Sequence, residues 1–222
     1  MKKNQCPDGF SVLSQQIPAL HTDLKYCTAD NIIGRALEGY APDGVPILTQ
    51  QATQSLAKIA AALMQPSICK TLNVVAPAIL ILDAYRPQMA SEDFWQWSQT
   101  DCDKTKAAYF PNLPKVELFA LGYFGRQSSH SRGSTIDLTI IETAHGKCTP
   151  IDMGTPFDFM DVLSHPDNKD VSPTAFKNRQ FLRQLMQDFG WQGIKEEWWH
   201  FTLCDEPFPN TYFNFPVLNY EE

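Results

Sequence analysis

Apolar positions recur at two different periods along this chain, and the changes of period mark where helices give way to strands. From Thr49 to Gln65, Ala52, Leu56, Ile59, Ala60 and Leu63 fall at helical spacing, which predicts an amphipathic helix with one face on the core. Val74 to Leu82 is a near-continuous apolar run and reads as a short buried strand, its first half confined to an edge or a bulge by Pro77. It ends in Asp83-Ala84-Tyr85-Arg86-Pro87, after which Gln88 to Gln99 predicts a second helix carrying Phe94, Trp95 and Trp97 beneath the strands. Ser134 to Ile141 alternates, with Ile136, Leu138 and Ile140 on one face and Asp137 and Thr139 on the other, a half-buried strand. His145-Gly146-Lys147 supplies a turn from which the chain returns as a hairpin. Ser172-Pro173 marks a helix start, and Phe181, Leu182, Leu185, Met186 and Phe189 continue at helical spacing to Gly190. Glu197 to Leu203 reads as a strand, and the aromatic, proline-rich remainder as an ordered tail without regular structure. Helices and strands in this segregated order predict the α+β class, with a mixed, mostly antiparallel sheet and packed helices. One domain over residues 1–222 is expected, with 1–22 as a variable N-terminal segment.

The 222 residues, 43% of them hydrophobic, suffice for one substantial core. Lysine and arginine number 18 against 25 acids, and a net charge of -7 argues against a nucleic-acid partner and for a small molecule or peptide. No apolar run approaches the roughly 20 residues of a membrane span, and the opening MKKNQCPDGF has no apolar signal segment. The six cysteines show no CxxC pairing, which disfavours a cysteine-based metal site. Their even number and polar flanks instead predict at least one disulfide, and so the bacterial periplasm in preference to the cytoplasm. A homo-oligomer is left open.

Two constellations carry chemistry. In Ser128-Ser129-His130-Ser131-Arg132-Gly133-Ser134-Thr135-Ile136-Asp137, a histidine before a strand and an aspartate on its less apolar face can meet at one point, with Gly133 turning the backbone between them. In Glu197-Trp198-Trp199-His200 the first and last residues share a face on a helical turn but point oppositely on a regular strand, so a bulge or an irregular strand start is required. Two imidazoles and a carboxylate suit zinc with a fourth position open to water, which makes His130, Asp137 and His200 candidate ligands. Glu197 then fits a general base, and Arg86 a guanidinium placed against a developing oxyanion. Each residue also has a plainer reading: His130 and His200 as core histidines satisfied by hydroxyls, Arg86 as an ion-pair partner of Asp83, Trp198 and Trp199 as core or pocket wall. Asp137 facing inward resists such a reading, because buried carboxylates need a partner.

The strings DLKYCTADNIIG, DAYRP, SSHSRGSTIDLTI, MGTPFDFM, EWWHF and DEPFPNTYFNFP occur in order, and together they resemble the VanX-type D-alanyl-D-alanine dipeptidases of the M15 metallopeptidases from about Asp23 to Pro216. The resemblance implies an α+β fold shared with other murein peptidases and hedgehog signalling domains, one zinc per chain, and hydrolysis of a free D,D-dipeptide. It implies His130, Asp137 and His200 as ligands, Glu197 as base and Arg86 as transition-state stabiliser. It also implies Tyr26, Ser128 and Asp158 as substrate-pocket residues, Asp158 receiving the dipeptide's ammonium. Thr135 and Cys27 stand where the family has alanine, and neither change removes a functional group. The segment before Asp23 has no counterpart in this pattern. Two alternatives stay open: a related D,D-carboxypeptidase acting on longer cell-wall peptides, which pocket length would decide, and a non-catalytic zinc-binding domain, which would need neither Glu197 nor Arg86.

Overall fold

The computed structural model describes residues 4–221. In chain order the strands are β1 (Asn4–Gln5), β2 (Phe10–Val12), β3 (His21–Thr22), β4 (Ile47–Thr49), β5 (Pro77–Asp83), β6 (Thr135–Glu142), β7 (Thr149–Pro150), β8 (Trp191–Gly193), β9 (His200–Leu203) and β10 (Tyr220–Glu221). The α-helices are α1 (Leu13–Gln16), α2 (Gln50–Leu63), α3 (Pro66–Leu72), α4 (Gln88–Ser98), α5 (Lys106–Tyr109) and α6 (Pro173–Asp188). The main sheet runs β3-β5-β6-β9-β8, with β7 paired to the far end of β6. Only β3 and β5 run parallel in it. The architecture is the expected α+β arrangement with a mixed, mostly antiparallel sheet.

The long helices form where the sequence places them, α6 with the expected cap and α2 with one that falls inside the helix expected from the sequence. Thr49 and Ser172 cap α2 and α6, their hydroxyls accepting from Ala52 N and Ala175 N. Ala52, Leu56, Ile59 and Leu63 of α2 and Leu182, Leu185 and Met186 of α6 are buried. Strand limits shift more. β5 begins only at Pro77, beyond the reach of β3, which pairs with Leu80 and Ile81, so a missing N–H costs least there.

β6 differs from the half-buried strand its alternation predicts, because all of Thr135–Ile141 is buried. The polar face is covered rather than solvated: Thr139 is buried and lines a cavity together with Ile151, Met153 and Phe157. The segment before Asp23 is woven into the fold. β2 pairs antiparallel with β4, and the Phe10 ring meets Tyr85, Phe213 and Phe215 edge-on. The tail is largely irregular, as expected, but is closed by β10, which pairs parallel with β1. The expected disulfide is not formed. Each of the six cysteines keeps its thiol, with Cys102, Cys148 and Cys204 exposed and Cys27 buried, and the expectation of an oxidising compartment loses that support. No described helix is long and apolar enough to cross a membrane.

Candidate metal centre and substrate cavity

Strand register assembles the site. Asp137 on β6 stands directly opposite His200 on β9, and on its other side opposite Asp83 on β5, just past an irregularity between Ile81 and Asp83. The difficulty of pointing Glu197 and His200 the same way disappears because the strand is shorter than expected. β9 starts at His200, and Trp198-Trp199 form a turn before it, so Glu197 is not on the strand at all. His130 comes from a tight turn over Ser129–Arg132, capped by Ser128 Oγ, which accepts from His130 N. Gly133 ends that turn at φ 81, and a Cβ there would stand 2.4 Å from the Phe10 ring, so both backbone and space require glycine.

The imidazoles are oriented before any ligand arrives. His130 Nδ1 must carry its proton, since it lies 2.6 Å from the Ala84 carbonyl, which can only accept. That leaves the Nε2 lone pair facing His200 Nδ1 at 3.2 Å and Asp137 Oδ2 at 3.3 Å. His200 turns its other nitrogen, Nε2, to Ser129 Oγ at 3.3 Å. Its Nδ1 stands 3.1 Å from Asp137 Oδ1, which nevertheless accepts no hydrogen bond. Burial lowers the His200 pKa and favours the neutral ligand form. Burial works the other way on Asp137, but the two imidazoles outweigh it and hold the carboxyl well below the ordinary range.

These residues fit a metal ion. The three donors lie within 4.8 Å of one another, all buried, and one carboxylate oxygen lacks a hydrogen-bond donor. In a tetrahedron with bonds of about 2.0 Å the ligands stand about 3.3 Å apart, close to the separations seen. The surroundings favour a cation as well: Asp83, Asp137, Asp158 and Glu197 are all buried near Arg86, and a bound cation would relieve the mutual repulsion that helps to raise Asp158 and Glu197.

The other residues singled out in the sequence gather around this centre. Glu197 Oε2 lies 3.6 Å from His200 Nδ1, and burial, reinforced by Asp137 and Asp158, pushes its pKa well up. Arg86 is the Asp83 partner of its plainer reading, with Nε donating at 2.9 Å, but it also reaches to 3.5 Å from Asp137 Oδ2. Its guanidinium lies 4.9 Å from the Tyr26 ring centroid and 5.2 Å from that of Phe94, close enough for both rings to stabilise the cation. Burial opposes its charge, and Asp83 foremost sustains it. Tyr26 donates its hydroxyl to Asp158 at 2.9 Å, and burial, with Asp137 adding, lifts that carboxyl to about 8.

All eight residues, Ser128 included, line one cavity of about 180 Å³. A larger cavity of about 490 Å³ is lined by Leu80, Leu82 and Thr139 among others, but it carries no imidazole, so the candidate ligands all belong to the smaller one. Sequence reasoning missed Ser129, the orienting partner of His200, and saw Asp83 only as a partner of Arg86. Asp83 also lies 3.6 Å from His130 Nδ1 and accepts from Tyr40 at 2.7 Å. Its position at the polar end of an apolar strand was the available signal.

Comparison with known proteins agrees in extent and in kind. The family model described as Peptidase M15, D-ala-D-ala dipeptidase, matches residues 7–218, so the segment from residue 7 to Asp23 has a family counterpart after all. The chain is 39% identical to a D-alanyl-D-alanine dipeptidase of Enterococcus faecalis, over 95% of this chain and 98% of that one. A Streptomyces coelicolor protein of the same description is 36% identical over 94% and 98%. One from Escherichia coli is 37% identical over 84% and 80%.

Proposed function

The chain belongs to the M15 peptidase family of D-Ala-D-Ala dipeptidases, and from that premise we propose that it hydrolyses free D-alanyl-D-alanine with a zinc ion held by His130, Asp137 and His200. Bound there, zinc would polarise the scissile carbonyl and acidify the attacking water. Glu197 takes the proton from that water and hands it to the departing amine nitrogen. Its raised pKa reflects burial and then the uncompensated charges of Asp137 and Asp158. A bound cation and the substrate ammonium would both add positive charge to the cavity and so bring Glu197 down towards the range in which a carboxyl exchanges protons. Asp158, steadied by Tyr26, receives the ammonium. Arg86, packed against two aromatic rings and paired with Asp83, faces the oxygen on which charge develops. Ser128 lines the pocket while capping the His130 turn.

The observation that carries the dipeptide reading is the size of the cavity. About 180 Å³ falls below the roughly 300 Å³ at which sites for drug-sized ligands begin, and it favours a free dipeptide over a longer wall peptide. Glu197 and Arg86 both face that cavity, which speaks against a domain that merely holds zinc. The test is to incubate the zinc-loaded protein with D-Ala-D-Ala, its L,L isomer and a longer peptide ending in D-Ala-D-Ala. Turnover confined to the first is expected. Comparable turnover of the long peptide would move the function to a D,D-carboxypeptidase.

A further inference from the structure

One buried cation takes no part in the metal centre or its cavity. Arg179 sits on the apolar stripe of α6, in line with Ala175, Leu182 and Met186, and is 1% exposed. Among the described residues no carboxylate accepts from it. Its hydrogen bonds go to a single stretch of chain: Nε to Met153 O at 2.5 Å, Nη1 to Leu163 O at 2.7 Å and to His165 O at 3.1 Å, and Nη2 to Thr155 Oγ1 at 3.1 Å. The fork therefore bridges the two ends of segment 153–165. Asp158 stands midway, five residues from Met153 and five from Leu163, with its backbone at φ 60. Besides Asn73, which ends α3, Asp158 is the one described non-glycine residue in the left-handed region, a conformation that costs free energy and that the surrounding segment must sustain.

We propose that Arg179 is a positioning residue for substrate binding, fixing Asp158 in the cavity by clamping both ends of the segment that carries it. The inference rests on the proposed function, in which Asp158 receives the ammonium. A desolvated guanidinium without a counter-ion is costly, and four oxygen acceptors on one loop are what offsets the cost, so loop and cation hold each other in place. Thr155 Oγ1 also accepts from Trp198 Nε1 at 3.0 Å, which ties the same clamp to the residue after Glu197. Lysine could keep the charge but not the fork, since the three N–H groups on its one nitrogen cannot reproduce four hydrogen bonds spread over a planar guanidinium.

The experiment compares Arg179→Lys, Asp158→Asn and the double variant as zinc-loaded full-length proteins, reading kcat and KM for D-Ala-D-Ala, zinc content, and amide exchange over 153–165. A misplacement of about 1 Å can be worth about 100-fold, so Arg179→Lys is expected to raise KM by about 10-fold or more, with a smaller loss in kcat and zinc retained. Exchange over 153–165 should quicken. The double variant should have no higher KM than Asp158→Asn alone, because a clamp has nothing to position once its carboxylate is gone. Wild-type KM in Arg179→Lys, or effects that multiply in the double variant, overturn the proposal while leaving the Asp158 reading intact. An unchanged KM in Asp158→Asn itself sinks that reading and the clamp with it. Should Arg179→Lys fail to fold, Thr155→Val removes one acceptor of the fork and is expected to raise KM in the same direction, and wild-type KM there overturns the proposal.

Discussion

Asp158→Asn should make the metal-free protein more stable, and increasingly so as pH rises. The Asp158 carboxyl ordinarily titrates at 3.8, and burial first, then the Asp137 charge, lift it to about 8 in the folded chain. Between these values the folded protein keeps a proton that the unfolded chain has already released. Stability therefore falls as pH climbs from about 4 to about 8, and this contribution levels off above that. At roughly 1.4 kcal/mol per pH unit the upper limit is about 6 kcal/mol, and relaxation of the segment should leave about 2–4 kcal/mol. Asparagine cannot ionise, and its amide oxygen can still accept from Tyr26. The assay is urea unfolding of both proteins in chelator from pH 4 to pH 9, followed by tryptophan fluorescence. Near-equal stability at pH 4 and a gap of at least about 2 kcal/mol at pH 8 are expected. A gap that does not change with pH would refute the reasoning, since only an ionisation confined to the parent makes it grow.

Glu197→Ala should keep about one zinc per chain while the rate falls at least about 10²–10⁴-fold, measured by metal analysis and dipeptide hydrolysis on the same sample. His200→Ala should abolish tight metal binding, seen by titration against a chromogenic chelator, because only two donors remain. Chelation of the parent should lower its Tm, as an ion bound only by the folded state adds to stability. Gly133→Ala combines a left-handed backbone, costing about 1–2 kcal/mol, with a clash against Phe10, costing about 1–3 kcal/mol, so urea unfolding should show a loss of about 2–5 kcal/mol and zinc affinity should drop with it.

What could be read in the sequence was whatever depends on neighbours along the chain. The cap at Ser172 and the stripes of α2 and α6 act within a turn or two, and they form as predicted, while Thr49, the first residue of the expected helix, proves to be the cap of α2. The site residues could be named because their motifs are short, but their meeting depends on long-range register, which no local pattern encodes. The start of β9 is an instance: the aromatic residues Trp198 and Trp199 have the composition of a strand, yet tertiary packing makes them a turn. Alternation in β6 correctly divided its two faces and wrongly left one to solvent, because the cover comes from residues more than ten positions away. Arg179 was hidden for a related reason. A charged residue on an apolar stripe reads as a break in the pattern unless the carbonyls it serves are known.

The opposition of Asp137 and His200 across β6 and β9 decides where this chain can change length. Side chains alternate between sheet faces, so shifting the ladder of 135–137 on 200–202 by one residue sends the carboxylate and the imidazole to opposite sides of the sheet. The turn at 143–148 and the remainder of the long connection between those strands lie outside the ladder that sets their register. Insertions in the connection leave the two donors facing each other, while a one-residue slip of the ladder separates them. Within that connection, length can change freely only away from the clamped 153–165 segment and from Glu197, which leaves the turn at 143–148 as the place where the chain tolerates it best.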